Sequence, residues 1–471
     1  MVEEVVEITT ASPVKKQGVN LTEGPVSRHV LRMLGPFSIA VIALISTGIV
    51  DTIYLGRMTD VARPNLGVMA LAALGFAFPL TFIGNSANIG LGAGTMSALS
   101  RAIGQGDMEK ARRHGAAAIL LALAVMTVLV SIMMIGLPFV LRVMGADGEI
   151  LNMARAYMLI SFPGLIIVSV ASMSNNILRA GGEAALPSSI MILGAFINII
   201  LDPFLIFGWG PFPRMEIQGA ALATLTGNTV GAMFGFYIVF FHRKAIAFTE
   251  MTLGSMKRAW KIIGSVGLPA AGTNIIVPLS AAVAVTIIAR SLTTIDVAAF
   301  TVASRSEMIS VGLLYALSAC IGAITGQNGG AGLTDRVRAT FKFCFLICVI
   351  WSTFMAVILA FFAPQVAGVF TTDPDVVAKT IPYFYIVPFT IFAYGFVFVS
   401  AAGFNALGRP QYGLVFTIIR SLILYVGLIY IGVQMDGLRG AFLGMAGANL
   451  ISGLIAFYWT MRKAPMTAKK S

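Results

Sequence analysis

The stretch AAAILLALAVMTVLVSIMMIGLPFVL, residues 116–141, runs for 26 residues without a charged side chain. As an α-helix it would extend about 39 Å, more than the hydrocarbon core of a bilayer, which is about 30 Å thick. Similar runs recur on both sides of it. Between charged or Gly/Pro-rich breaks there are twelve, at roughly 33–55, 68–97, 116–141, 152–175, 187–209, 217–241, 263–290, 297–325, 343–368, 381–404, 412–433 and 439–461. A transmembrane barrel would instead alternate apolar and polar residues over about 10 positions, and this chain does not. The pattern predicts an all-α polytopic membrane protein of twelve transmembrane helices.

Composition agrees. Of the 471 residues, 58% are hydrophobic and 11% charged, against about 25% charged in soluble domains. Disorder and a soluble multidomain enzyme are both excluded. The net charge of +12 would suggest nucleic acid for a soluble protein, but here the positive-inside rule accounts for it. Twenty-two of the 32 Lys and Arg residues fall on the side of the termini and 8 on the other, with Arg305 and Arg420 left inside spans. Both termini are therefore expected in the cytoplasm, with the protein in the cell (inner) membrane. The first residues, MVEEVVEITT, have no apolar core and are not read as a cleavable signal peptide. Cys320, Cys344 and Cys348 lie in apolar stretches and form neither a metal site nor a disulfide framework.

The two halves repeat. Asp147, Glu149, Tyr157 and Gly182 each have a counterpart 226 residues later, at Asp373, Asp375, Tyr383 and Gly408. Nearby offsets pair Gly104-Gln105 with Gly326-Gln327 and Gly219-Ala220 with Gly440-Ala441. Six spans per half give both halves the same orientation, as two pseudo-symmetric six-helix bundles about a cleft. The expected organisation is a cytoplasmic tail at 1–30, an N-lobe at 31–242, a linker at 243–262, a C-lobe at 263–463 and a C-terminal tail at 464–471.

Three acids fall within spans: Asp51, Asp202 and Glu307. A carboxylate at the bilayer centre costs at least ~2.5 kcal/mol, so each needs a reason. Counting along the helices puts Asp51 and Asp202 at similar depth, with Asn198 one turn before Asp202 on the same face. Thr224 and Tyr157 fall near that depth too. Two carboxylates in a poorly hydrated site share a proton more cheaply than they both ionise, which suits a proton carrier. The same oxygens, from Asp51, Asn198, Asp202 and Thr224, suit Na⁺. The repeat places Leu424 and Leu428 opposite Asn198 and Asp202, so the polar cluster belongs to one half only. Pro36 and Pro203 mark candidate helix kinks. Glu307 and Arg305 are possible secondary site residues, but two positions apart they do not share a helix face.

Pro36 with Asp51, SRAIGQGDMEKA, LRAGG, NIILDP, GAALAT and GQNGGAG together resemble the multidrug and toxic compound extrusion (MATE) transporters from about Val30 to Lys463. Asp51, Asn198, Asp202 and Thr224 match a cation-binding and substrate-gating network of the DinF-like branch, and Tyr157 fits it by position. The absence of acids from spans 7 and 10 favours that branch. Thr47 stands where the branch often has tyrosine. The resemblance implies efflux of small amphipathic or cationic compounds in exchange for H⁺ or Na⁺ by alternating access. No cofactor beyond the coupling ion, no enzymatic activity and no nucleic-acid partner are expected, and the chain is taken as a monomer. The alternative is a lipid-linked saccharide or lipid flippase of the same broad superfamily. An intramembrane enzyme is disfavoured, since His29, His114 and His242 all lie at the cytoplasmic edge.

Overall fold

A computed structural model describes residues 19–468 apart from 62, 64, 249, 250 and 372. Most of the N-terminal tail lies outside the described residues, as do Lys15, Lys16, Lys469 and Lys470, which the charge count assigned to the cytoplasm. The first half forms α1 (Val26–Gly56), α2 (Leu66–Gly104), α3 (Met108–Val143), α4 (Gly148–Ala180), α5 (Ala185–Phe207) and α6 (Glu216–Tyr237). The second forms α7 (Leu253–Ser291), α8 (Thr294–Gly330), α9 (Thr334–Phe361), α10 (Ala363–Phe370), α11 (Pro374–Ile386), α12 (Ile391–Ala406), α13 (Pro410–Ile418) and α14 (Val426–Ala468). Among the described residues there is no strand.

The twelve passes emerge once three interruptions are read. α11 and α12 form one pass broken by a 3₁₀ turn at Pro388–Thr390, beside a proline that cannot donate to the helix ladder. α13 runs through a π-helical turn, Ile419–Tyr425, into α14. α14 reverses at Asp436 and Gly437, where φ reaches 54° at the glycine. Its two arms then pack so closely that a Cβ on Gly440 would strike the Gly432 carbonyl, and one on Gly444 the Leu428 carbonyl. Several helices outrun the apolar windows. α2 continues past Arg101 and α8 past Gln327, because a charged or polar residue ends a hydropathy run without ending a helix.

The repeat is visible in backbone detail. Gly182 and Gly408 both take positive φ, 82° and 73°, in the loops after α4 and α12. Asp147 and Asp373 are both helix N-caps. Gly219 sits against the Leu205 carbonyl in the α5–α6 pair, as Gly440 does against Gly432 in the second half. The repeat-related helices α2 and α8 cross each other: a Cβ on Gly104 would meet the backbone of Gln327, and one on Gly330 the backbone of Arg101. Gly90 and Gly94 of α2 meet the α7 backbone at Gly267 and Ile263 in the same way. Such small-residue contacts let backbones approach where lipid supplies no hydrophobic drive.

Three apolar cores organise the lobes. One is shared: Val26, Val30, Met33 and Phe37 of α1 and Leu99 of α2 join Leu314, Leu317, Ile321 and Ile324 of α8 at the end carrying the termini. At the far end each lobe has its own, one around Leu55, Leu66, Phe162 and Ile206, the other around Phe300, Tyr383, Phe442 and Met445. The lobes are thus joined at the termini end and part towards the other, with a cleft between them opening away from the termini.

Candidate functional site

The buried polar cluster sits near the far end of the first lobe. Asp51 is five residues from the end of α1 and Asp202 five from the end of α5, about 8 Å along each helix. Asn198 precedes Asp202 by one turn, and its amide donates to Asp202 Oδ1 at 3.4 Å and to Thr224 Oγ1 on α6 at 3.2 Å. Asp51 reaches both Asp202 and Asn198 through its side chain. Asp202 is fully buried and Asn198 nearly so. Three buried oxygens in this set, Asp51 Oδ1, Asn198 Oδ1 and Asp202 Oδ2, have no donor. Buried acceptors are rarely left so. A proton shared by the carboxylates, or a small hard cation held by the oxygens, would satisfy them.

The other sequence candidates fall around this centre or apart from it. Tyr157 of α4 is near enough to feel the charge of Asp51 and Asp202, with Ser161 one turn away on the same helix. Thr47 turns back to the Leu44 carbonyl at 2.8 Å. Pro36 lies within α1, which continues as one helix from Val26 to Gly56, and Pro203 lies within the last turns of α5. Glu307 is half-buried in the second lobe while Arg305 is exposed, and no ion pair joins them among the described residues. The structure brings together Asp51, Asn198, Asp202 and Thr224, with Tyr157 at the margin and Arg305 and Glu307 in the other lobe.

Of the helices that supply the cluster, α1 packs extensively against α8 and α9 of the second lobe. Its first three turns belong to the shared core and its last two carry Asp51 to the cluster. Pro36 lies in the third of those first turns, next to Phe37 of the shared core.

Sequence reasoning missed two features. The first is a clasp at the termini end. The Leu21 N–H donates to Gln327 Oε1 at 3.2 Å, and the Leu21 carbonyl accepts from Asn328 at 3.1 Å and Arg336 at 3.0 Å. Val19 meanwhile donates to the Gly181 carbonyl of the first lobe at 3.1 Å. Residues 19–24, taken as tail, thereby tie both lobes together. The second is the environment of Arg420. Its guanidinium donates to Asn449 Oδ1 at 3.0 Å and lies 3.3 Å from the Tyr394 ring centroid. Asn449 in turn donates to Thr390 at 3.3 Å. A polar Asn449 in an otherwise apolar span was a signal, but the π-turn that presents Arg420 leaves none.

At the far end, ion pairs stay within a lobe. Arg63 bonds Glu216 and Glu149, and these bonds push its already high pKa higher, Glu216 foremost. Lys379 pairs with Asp296 at 2.6 Å in the second lobe. Among the described residues no ion pair crosses the cleft.

Two repeated six-helix lobes, each with its own far-end core, define an integral membrane transporter. The profile of the MatE family matches residues 36–204 and 269–431, one segment in each lobe, and the chain belongs to that family. The chain is 32% identical over 445 residues to a Shewanella oneidensis protein named FAD transporter, covering 94% of this chain and 96% of that one. It is 24% identical to the multidrug export protein MepA of Staphylococcus aureus, over 92% of this chain and 93% of MepA. A solved structure described as the outward-facing conformation of a multidrug resistance MATE family transporter matches with a TM-score of 0.89, 26% identity and coverage of 97% and 99%.

Proposed function

We propose that the protein is a secondary active efflux antiporter. It exports amphipathic aromatic compounds, organic cations among them, in exchange for H⁺ or Na⁺ carried by Asp51, Asn198, Asp202 and Thr224. One observation carries this reading: three buried acceptor oxygens converge without donors on two carboxylates inside a single lobe. Alternating access follows by rocking the N-lobe (31–242) against the C-lobe (263–463). Cation binding at Asp51 reaches the lobe contact through α1, with Pro36 as the point where the helix bends and Tyr157 as a gate beside the pair. Both termini face the cytoplasm of the inner membrane, the chain works as a monomer, and the absence of acids from spans 7 and 10 favours the DinF-like branch.

A second reading of the cargo comes from the Shewanella relative. Its name and its near-complete overlap with this chain favour an aromatic dinucleotide such as FAD. Reconstitution into proteoliposomes tests both cargoes, with Na⁺ and H⁺ gradients imposed separately and ethidium or FAD fluorescence followed. One gradient should drive movement of at least one cargo, and Asp51→Asn or Asp202→Asn should abolish it. Movement of neither cargo under either gradient would overturn the antiport reading.

A further inference from the structure

The second lobe holds a buried charge that the cation cluster does not use. Arg420, 4% exposed, lines a cavity of about 80 Å³ together with Phe82 of α2, Asn274 of α7, Tyr315 of α8, and Tyr394 and Phe398 of α12. The cavity therefore draws on both lobes, and it is several times larger than one water needs. Its rings form a continuous wall. Tyr315 and Phe398 lie 4.9 Å apart between centroids, Phe398 and Tyr394 4.6 Å, and the Arg420 guanidinium rests on Tyr394.

The charge is only partly compensated. A buried guanidinium ordinarily has a carboxylate beside it, because an unpaired ion in low dielectric is costly. Glu307 feels the charge of Arg420, yet among the described residues no carboxylate forms an ion pair with it. Asn449 and the Tyr394 and Tyr425 rings are its neutral substitutes. Arg420 Nε has no acceptor, and the buried hydroxyl of the adjacent Ser421, which lines the same cavity, has no partner either. A π-helical turn places both residues there, and such turns recur at functional sites. The repeat position of Arg420 in the first lobe is Gly194, so this charge, like the acids, occurs once.

We infer that this cavity is a subsite for a phosphoryl group borne by an aromatic substrate. The guanidinium of Arg420, which lines the cavity, donates to its oxygens, and the Tyr315–Phe398–Tyr394 wall takes the adjoining ring. A planar guanidinium with free donors is the side chain best matched to phosphate, and the rings supply a stacking surface. The inference rests on the reading of the chain as an exporter of aromatic compounds and names what part of the second lobe recognises.

Riboflavin, FMN and FAD share one ring system and differ in phosphate. Their binding to detergent-purified protein is measured by fluorescence quenching, with no ion gradient. FMN and FAD should bind about tenfold or more tightly than riboflavin. Arg420→Gln should reduce that preference to about twofold or less, costing FMN and FAD more affinity than riboflavin, and Arg420→Lys should retain part of it. Equal binding of riboflavin and FMN by the unaltered protein would overturn the inference, as would absence of flavin binding. Equal losses for both ligands in Arg420→Gln and Arg420→Lys would assign Arg420 a structural role and overturn it too. A short-chain phosphatidylglycerol that displaced no FMN, yet bound in an Arg420-dependent way, would move the site to lipid and also overturn it. Dye export without phosphate preference would sink the subsite alone, whereas Arg420-dependent FMN binding without transport would sink only the antiport reading.

Discussion

The side-chain amide of Gln327, near the end of α8, donates at 2.7 Å to the carbonyl oxygen of Ala180 at the end of α4, 147 residues away and in the other lobe. The same side chain accepts from the Leu21 N–H. One glutamine therefore links three segments at the end where the lobes meet.

Gln327→Ala removes both bonds. At about 1 kcal/mol apiece they shift a two-state ratio of closed to open roughly thirtyfold. Spin labels on the termini-end loops of each lobe should show one narrow distance in the unaltered protein and a second, longer population in the variant. An unchanged distribution would mean that the clasp does not govern closure.

Asp51→Asn and Asp202→Asn keep the shape of the cluster and remove its charge. Each should cut gradient-driven dye export by at least about tenfold, with little change in thermal midpoint. Thr224→Ala loses one hydrogen bond from Asn198 and should cost about two- to fivefold. Full export by either Asp variant would take the first lobe out of ion coupling.

Gly104→Ala places a methyl group against the backbone of Gln327, which cannot rotate aside. The expected loss is about 1–3 kcal/mol, read as a lower melting temperature in detergent. Gly48→Ala in α1 is the control, because nothing lies within 4 Å of the added carbon. It should be neutral or stabilise by up to about 1 kcal/mol. Equal behaviour of the two variants would refute the tight α2–α8 crossing.

Lys379→Met leaves the buried Asp296 with only Thr293 as donor. A loss of about 1–3 kcal/mol in stability is expected, and Lys379→Arg should restore most of it. Because the pair lies wholly in the second lobe, the ion dependence of transport should not move.

Much of this was legible in the sequence because bilayer thickness imposes length and composition on every span. Depth counting brought Asp51, Asn198 and Asp202 together, since helical rise is uniform and acids are scarce. Gly182 and Gly408 betrayed the repeat because positive φ constrains residue type. The clasp at Leu21 was not readable: Leu21 bonds through its backbone groups, which any residue supplies, to side chains more than 300 residues away. Arg420 was visible as a charge within a span, but its partners are far apart in sequence and its turn is π-helical, a geometry with no residue signature.

The crossing of α2 and α8, glycine against backbone on each side, is the contact expected between two identical subunits about a two-fold axis. A true homodimer would carry every charge twice, and an acid pair in one subunit would oblige the same pair in the other. Here both copies lie in one chain, and each can differ. Asp51 and Asp202 stand on one side of the cleft, with leucine at the counterparts of Asn198 and Asp202, and Arg420 stands on the other with glycine opposite it. Covalent linkage thus lets a symmetric frame hold two chemically opposite faces.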